Sequence, residues 1–202
     1  MGIIRGTRQN TSMIHLLQSY IVYYFIVAIG ITIGYHRYFA HREFKTGKVE
    51  EAIMLYLGLL CGCQSPIAWV GVHRMHHANS DTPNDPHSPL YKKWHEILFS
   101  TWRVKNIPRK FVKDLYHNPR VVFFHEYRYI IFVFTYIIAF FIHPILIFYL
   151  IMVFIFSYLF YGMLNLVGHN DSGPVNRWWV NIFAPFEGNH DDHHTKTTNR
   201  KK

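Results

Sequence analysis

The chain has 202 residues, the size of one domain, of which 50% are hydrophobic, 18% aromatic and only 16% charged. Such an aromatic-rich composition excludes a disordered chain. The charged fraction is also lower than the about 25% of an average soluble domain. The net charge of +9 does not indicate a nucleic-acid-binding protein, because no nucleic-acid-reading motif accompanies it. Two cysteines are too few for a disulfide framework.

The first predicted element is a membrane-spanning helix. No residue from Asn10 to Tyr35 is charged, and about 20 consecutive apolar residues cross a bilayer core as a helix. The sequence therefore predicts a retained transmembrane helix at about residues 12–35.

The next apolar stretch, Ala52 to Val72, is interrupted by polar and helix-breaking residues, among them Gly62 and Pro66. Hydropathy alone leaves open whether it crosses the membrane. If the histidine groups before and after it share one site, they lie on the same side of the membrane, so this stretch cannot cross the membrane a single time. We then expect it to lie in the interface or to dip into the membrane and return.

The third apolar stretch, Tyr129 to Asn170, is also free of charged residues and is densely apolar as far as Leu164. It is too long for one crossing and long enough for two short ones. A residue before proline is pushed out of the helical region, so we expect the turn at His143-Pro144. The predicted spans are about 129–143 and 144–164.

The basic residues predict an orientation. Of the 21 Lys and Arg residues, nineteen lie between the spans or in the tail, and two lie in the first ten residues. The positive-inside rule places the basic segments in the cytoplasm. We expect one multi-pass domain over residues 1–202, with a cytosolic cap formed by residues 36–128 and 165–202.

Histidine is the most informative residue type, with 15 in the chain. An H-x2-H-H pattern is expected by chance only about 0.08 times at this histidine content, yet it occurs twice. The groups are His36 and His41; His73, His76 and His77; His190, His193 and His194; and Asn165 with His169, four residues apart.

The spacing of the triplets indicates a metal site. Residues i, i+3 and i+4 of a helix lie on one face, so each triplet presents a row of imidazoles. His36 and His41 are about 140° apart on a continuous α-helix. They converge only if the helix ends or bends between them; otherwise they serve different metals. Nine imidazoles exceed one tetrahedral zinc site and suit two metals of coordination five or six. Iron is favoured for redox chemistry, although manganese or zinc can occupy such a site.

The sequence resembles the membrane fatty acid desaturases of the delta-9 acyl-CoA or acyl-lipid type. The matching segments are 30–37 with His41-Arg42, Trp69 to His77, Ser80-Asp81-Thr82, Asp85-Pro86-His87, Asn165 with His169, Trp178-Trp179, and Glu187 to His194. They cover about residues 28–195. The three-box histidine pattern is highly specific.

The resemblance implies an all-α integral membrane protein with about three transmembrane helices, an interfacial helix and a cytosolic helical cap that holds a di-iron centre. It implies that O2 is activated there and that a cis double bond, at the delta-9 position, enters a bound acyl chain. It also implies that two Fe2+ ions are bound by nine histidines and, through a water molecule, by one asparagine. These residues are His36, His41, His73, His76, His77, His169, His190, His193, His194 and Asn165.

Residues beside the boxes have two readings each. Imidazole ligands need orienting acceptors, and the candidates are Glu187, Asp81, Asp85, Asp191 and Asp192, which otherwise are solvated loop carboxylates or helix caps. Trp69 and Trp94 are interfacial anchors or line the substrate entrance. His87 matches the family loop or is a turn residue.

Partners and alternatives follow from the same resemblance. The implied substrate is an acyl-CoA or an acyl-lipid, and membrane lipids are partners. Electrons come from an external donor, ferredoxin or cytochrome b5, which docks on the basic segments. The family usually has a further span before the first box, so a homodimer is expected to replace its packing. The alternatives are a di-iron acyl hydroxylase and a catalytically silent metal-binding membrane protein.

Overall fold

The computed structural model describes residues 2–100 and 104–199, so the parts of the predicted cap at 101–103 and 200–202 lie outside the described residues. The described chain is helical apart from a two-residue antiparallel ribbon, β1 His169–Asn170 paired with β2 Gly173–Pro174. The α-helices are α1 Gly2–Val27, α2 Lys48–Leu60, α3 Pro66–Asn79, α4 Trp94–Ser100, α5 Pro119–Glu126, α6 Arg128–Ile142, α7 Ile145–Val167 and α8 His190–Asn199. A π-helix, Ala28–Ala40, continues α1, and short 3-10 helices cover Arg109–Phe111, Leu115–His117 and Trp178–Ile182.

Two helical segments of the described chain are long and apolar enough to cross a membrane, Ser12–Ala40 and Ile145–Val167. A third is added if α5 and α6, which meet at a bend of 70°, are counted as one span. The turn between α6 and α7 lies at His143-Pro144. The prediction of an all-α protein is confirmed: where about three transmembrane helices were predicted, two or three helices are apolar enough to span a membrane, and the histidines form a cluster that could hold metal.

The interrupted apolar stretch forms a helical hairpin of α2 and α3 rather than one long helix. Gly62 and Gln64 adopt positive φ in the turn between the helices, and Ser65 caps α3, its hydroxyl accepting from the amide of Ala68. A Cβ on Gly62 would lie 2.1 Å from the Phe154 ring. Because Phe154 lies well inside α7, the hairpin turn packs against the middle of that helix and the chain then returns toward α7's end.

The π-helix packs tightly on α2. A Cβ on Gly30 would lie only 2.3 Å from the backbone nitrogen of Gly58, so the two backbones touch where both residues lack a side chain. The helices are also joined at Glu51, which is buried and accepts hydrogen bonds from Tyr38, Asn118 and Arg120. These contacts fix the end of the first span against α2 and α5.

The hydrophobic core fills the space where α1, the π-helix, α3 and α7 meet. Its largest fully buried side chains include Tyr23, Tyr35, Ile31 and Leu55. The outer faces of α6 and α7 carry exposed Phe, Ile and Val side chains, such as Phe141 and Ile142. This is the distribution expected of helices that face lipid on one side and protein on the other.

Candidate metal centre

The nine predicted histidines converge at one end of the helical bundle. They form two groups whose ring nitrogens lie within 4.8 Å of one another in each group. We name them the five-histidine cluster, His36, His41, His73, His77 and His193, and the four-histidine cluster, His76, His169, His190 and His194. Each triplet is divided between the clusters, because α3 and α8 each contribute side chains to both.

The π-helix places His36 and His41 in the same cluster. The amide of His41 donates to the carbonyl of His36 at 3.1 Å, a bond between residues five apart that defines this type of helix. Residues five apart therefore lie one above the other, and the two ring centroids are 4.9 Å apart. The π-helix ends at Ala40, between the two histidines, so both its winding and its end bring them into one cluster.

Both clusters point their Nε2 atoms inward. In the five-histidine cluster the Nε2 atoms of His36 and His193 are 2.8 Å apart, as are those of His41 and His73. In the four-histidine cluster the Nε2 atoms of His169 and His190 are 3.0 Å apart. Metal–nitrogen bonds of about 2.1 Å put adjacent ligands about 3 Å apart, so these spacings fit nitrogens that surround a common ion.

Three of the predicted carboxylates hold the outer nitrogen of a cluster histidine. The Nδ1 atoms of His36, His76 and His169 lie 2.8–3.0 Å from the carboxylates of Glu187, Asp85 and Asp81, respectively. A carboxylate that accepts the Nδ1 proton leaves the Nε2 lone pair free for a metal. The predicted candidates Asp191 and Asp192 lie in the first turn of α8, where their backbone amides donate to Asn176.

Burial keeps His76 of α3 and His190 of α8 neutral. The burial of His76 and His190, together with the neighbouring imidazoles, holds the pKa of each well below its usual value. A neutral imidazole is the form that binds a metal. His76 and His190 can therefore bind a cation at neutral pH without first losing a proton.

Asn165 lies in the last turn of α7, beside the four-histidine cluster. It is 9% exposed, and its Nδ2 atom has no hydrogen-bond partner among the described residues. It lines a cavity of about 20 Å³ together with His76 and His190. A cavity of this size holds one water molecule, and an unpaired buried amide requires such a partner.

The two predicted entrance tryptophans occupy different places. Trp69 is 3% exposed and stacks on His73 with ring centroids 5.1 Å apart, so it forms part of the wall of the cavity. Trp94 is 63% exposed at the start of α4.

Two residues, His87 and Arg74, contribute more contacts to the site than the sequence predicted. His87 is 3% exposed, lines the same cavity, and contacts His76, the two rings being tilted by 36° with centroids 4.1 Å apart. Its position after Asp85-Pro86 was the available signal. Arg74, inside the second histidine box, donates to the carbonyls of Phe39 and Ala40 and to Asp114. It therefore ties the first box to the second.

Together the fold and the site define a class of protein: helical chains with membrane-spanning apolar helices and paired histidine clusters that can hold metal ions. No family model matches the chain. It is 30% identical over 196 residues to the sn-1 stearoyl-lipid 9-desaturase of Anabaena variabilis, covering 86% of this chain and 69% of that protein. It is 31% identical over 192 residues to the sn-1 stearoyl-lipid 9-desaturase of Synechocystis sp. (strain ATCC 27184 / PCC 6803 / Kazusa), covering 87% and 59%.

A shorter match, 43% identical over 82 residues, links it to Delta-9 acyl-lipid desaturase 1 of Arabidopsis thaliana, covering 41% of this chain and 27% of that protein. The chain belongs to the fatty acid desaturase family, and so to the oxidoreductases that act on fatty acyl chains. The predicted family is confirmed.

Proposed function

We propose that this protein is an oxygen-dependent desaturase that introduces a cis double bond, at the delta-9 position, into a fatty acyl chain. The observation that carries the proposal is the pair of adjacent histidine clusters, with the unpaired amide of Asn165 and a water-sized cavity lined by histidines of both clusters. The names of the similar proteins, 9-desaturases of stearoyl lipids, support the position of the double bond.

We propose two Fe2+ ions as the cofactors, one in each cluster, and O2 as the co-substrate. The nine histidines are the proposed ligands, and Asn165 is proposed to act through a bound water at the four-histidine cluster. Imidazole suits iron among other metals. When bound, iron supplies the electrons that activate O2 strongly enough to remove hydrogen from an unactivated methylene.

The surrounding residues orient the ligands and exclude water. Glu187, Asp81 and Asp85 hold the Nδ1 protons and so fix the direction of three Nε2 atoms. Trp69, Tyr161 and Leu164 line the small cavity and are all buried. An apolar wall at the reacting centre keeps bulk water away from it.

We propose that α1 with the π-helix, α6 and α7 cross the membrane, that the hairpin of α2 and α3 enters and returns, and that both clusters face the cytoplasm. Residues 1–202 form one domain in this arrangement. The substrate is an acyl-lipid or acyl-CoA supplied from the membrane. Ferredoxin or cytochrome b5 delivers electrons at the basic surface, where Arg42, Lys45 and Lys113 are exposed. A homodimer is proposed to cover part of the exposed apolar surface.

The test is expression in a host that lacks its own desaturase, with the fatty acids of extracted lipids and acyl-CoA analysed by mass spectrometry. We expect monounsaturated chains with a cis bond at carbon 9 from the native chain and none from His76→Ala. The same lipid profile in both strains would contradict the proposal. A hydroxylated product dependent on His76 would assign the chain to the acyl hydroxylases.

A further inference from the structure

A loop of residues 178–186, which we name the aromatic loop, precedes the third histidine box and contributes to neither cluster. Val180, Phe183 and Ala184 are buried against the protein. Three large apolar side chains on the other side are mainly exposed: Trp178 (75%), Ile182 (60%) and Phe186 (67%). Such a patch indicates an interaction surface.

The depth of the aromatic loop can be measured along α7. Its base lies at the end of that helix, because Arg177 donates from Nε to the carbonyl of Val167 at 2.8 Å and from its amide to the carbonyl of Gly188 at 2.7 Å. Its tip packs on the ring of Phe160, with the Phe183 centroid 5.5 Å away. Phe160 lies seven residues before Val167, about 10 Å along the helix. The chain therefore descends beside the span and returns.

Much of the backbone of the aromatic loop is hydrogen-bonded within the protein. The carbonyls of Asn181, Ile182 and Phe183 accept hydrogen bonds from the hydroxyls of Tyr24, Tyr20 and Tyr23, respectively, all on α1. The carbonyl of Pro185 accepts from Thr32 at 3.0 Å. The amides of Phe183 and Ala184 donate to the carbonyl of Val180. Irregular backbone is tolerated at membrane depth only when its polar groups are satisfied by protein in this way.

We propose that the aromatic loop is inserted in the bilayer, with Trp178 and Ile182 in contact with lipid acyl chains, whereas Phe186 borders a polar cavity with Arg37 and Asp192. The insertion anchors the third histidine box, which begins directly after the loop, at a fixed depth relative to the membrane. The occupant is lipid rather than protein, because the loop descends along helices with the composition of membrane spans and the side chain exposed at its tip, Ile182, is apolar. This inference rests on the proposed membrane orientation of α1 and α7.

The experiment uses single nitroxide labels on the full chain in phosphatidylcholine vesicles, with collisional accessibility to O2 and to a water-soluble nickel chelate measured by power saturation. The variant is Ile182→Cys. Ile155→Cys, 38% exposed on α7, is the lipid-facing control, and Lys113→Cys, exposed in the cap, is the aqueous control. Cys61 and Cys63 are fully buried, and the unmutated protein serves as the labelling blank.

We expect the label at residue 182 to resemble that at residue 155, with O2 accessibility several-fold above that of residue 113 and nickel accessibility several-fold below it. Nickel accessibility equal to that of residue 113 would overturn the inference while residue 155 still supports the span. Low accessibility to both reagents would overturn it in favour of a protein-covered loop. Nickel access at residue 155 would overturn the proposed membrane orientation itself.

Discussion

The two histidine clusters differ in ligand number, in burial and in the groups around them. The four-histidine cluster is buried throughout, and carboxylates hold two of its rings, those of His76 and His169. In the five-histidine cluster only His36 is fully buried, and Glu187 holds that ring. The difference fits the proposed function, in which the five-histidine cluster would surround an ion with imidazoles and the four-histidine cluster would keep one position for the water held by Asn165.

The largest expected effect separates the clusters by removing one ligand from each. His190 and His193 lie three residues apart on α8 but belong to different clusters. We expect His190→Ala to lose one of two irons, because three imidazoles remain, and His193→Ala to retain both until a chelator is added. Each lowers desaturation by about 100-fold or more. Iron per chain, measured by mass spectrometry before and after chelation, is the test, and equal loss in both variants would contradict the division.

The next effect concerns the carboxylates. We expect Asp85→Asn and Glu187→Gln each to weaken iron binding about 10- to 100-fold, because an orienting acceptor of a ligand imidazole is weakened. Asp85→Asn should cost more, since its carboxylate also accepts from the amides of Asp81 and His87. Competition with a chromophoric chelator measures this effect. Asp171→Asn, at an exposed position, is the control, and an equal affinity loss in that control would remove the assigned role.

A smaller effect tests the open position. We expect Asn165→Ala to retain both irons while turnover falls about 10-fold, because the amide that positions a water is lost. Asn170→Ala, at the exposed end of β1, is the matched control. Unchanged turnover with unchanged iron content would show that Asn165 has no part in the reaction.

The smallest effect concerns the ion pair between Arg74 and Asp114, beside the residues that tie the first histidine box to the second. Burial of Asp114 opposes its ionisation, but hydrogen bonds from Arg74 and Arg42 outweigh that effect and lower the pKa from 3.8 to about 2. The stabilisation is therefore present above pH 4 and is lost as the pH falls through about 2. We expect Asp114→Asn to lower the stability at pH 7 by about 1–2 kcal/mol.

Thermal unfolding of the two proteins in detergent from pH 7 to pH 3 checks this prediction. The difference in midpoint should shrink as the pH approaches the pKa of Asp114. A constant difference across that range would mean that the charge of Asp114 does not contribute to stability through its pairing with Arg74 and Arg42.

The sequence predicted most of what depends on local pattern. Charge-free stretches locate the apolar helices, His143-Pro144 locates a turn, and the triplet spacing predicts which rings share a helix face. The partition into clusters was not predictable, because it depends on how α3 and α8 are rotated against each other. The placement of His36 with His41 required π-helical winding, which no hydropathy pattern reports. The burial of His87 depends on the fold of a loop with no periodicity.

The π-helix also limits how this chain can change in length. A transmembrane helix ordinarily absorbs the loss of one residue by a small change of tilt. In this span Gly30 is fixed against Gly58, and His36 is fixed by Glu187. A deletion between these two points would turn the imidazole away from its neighbours even if every other residue were kept. The number of residues in this segment is thus constrained as strictly as the identity of the histidines.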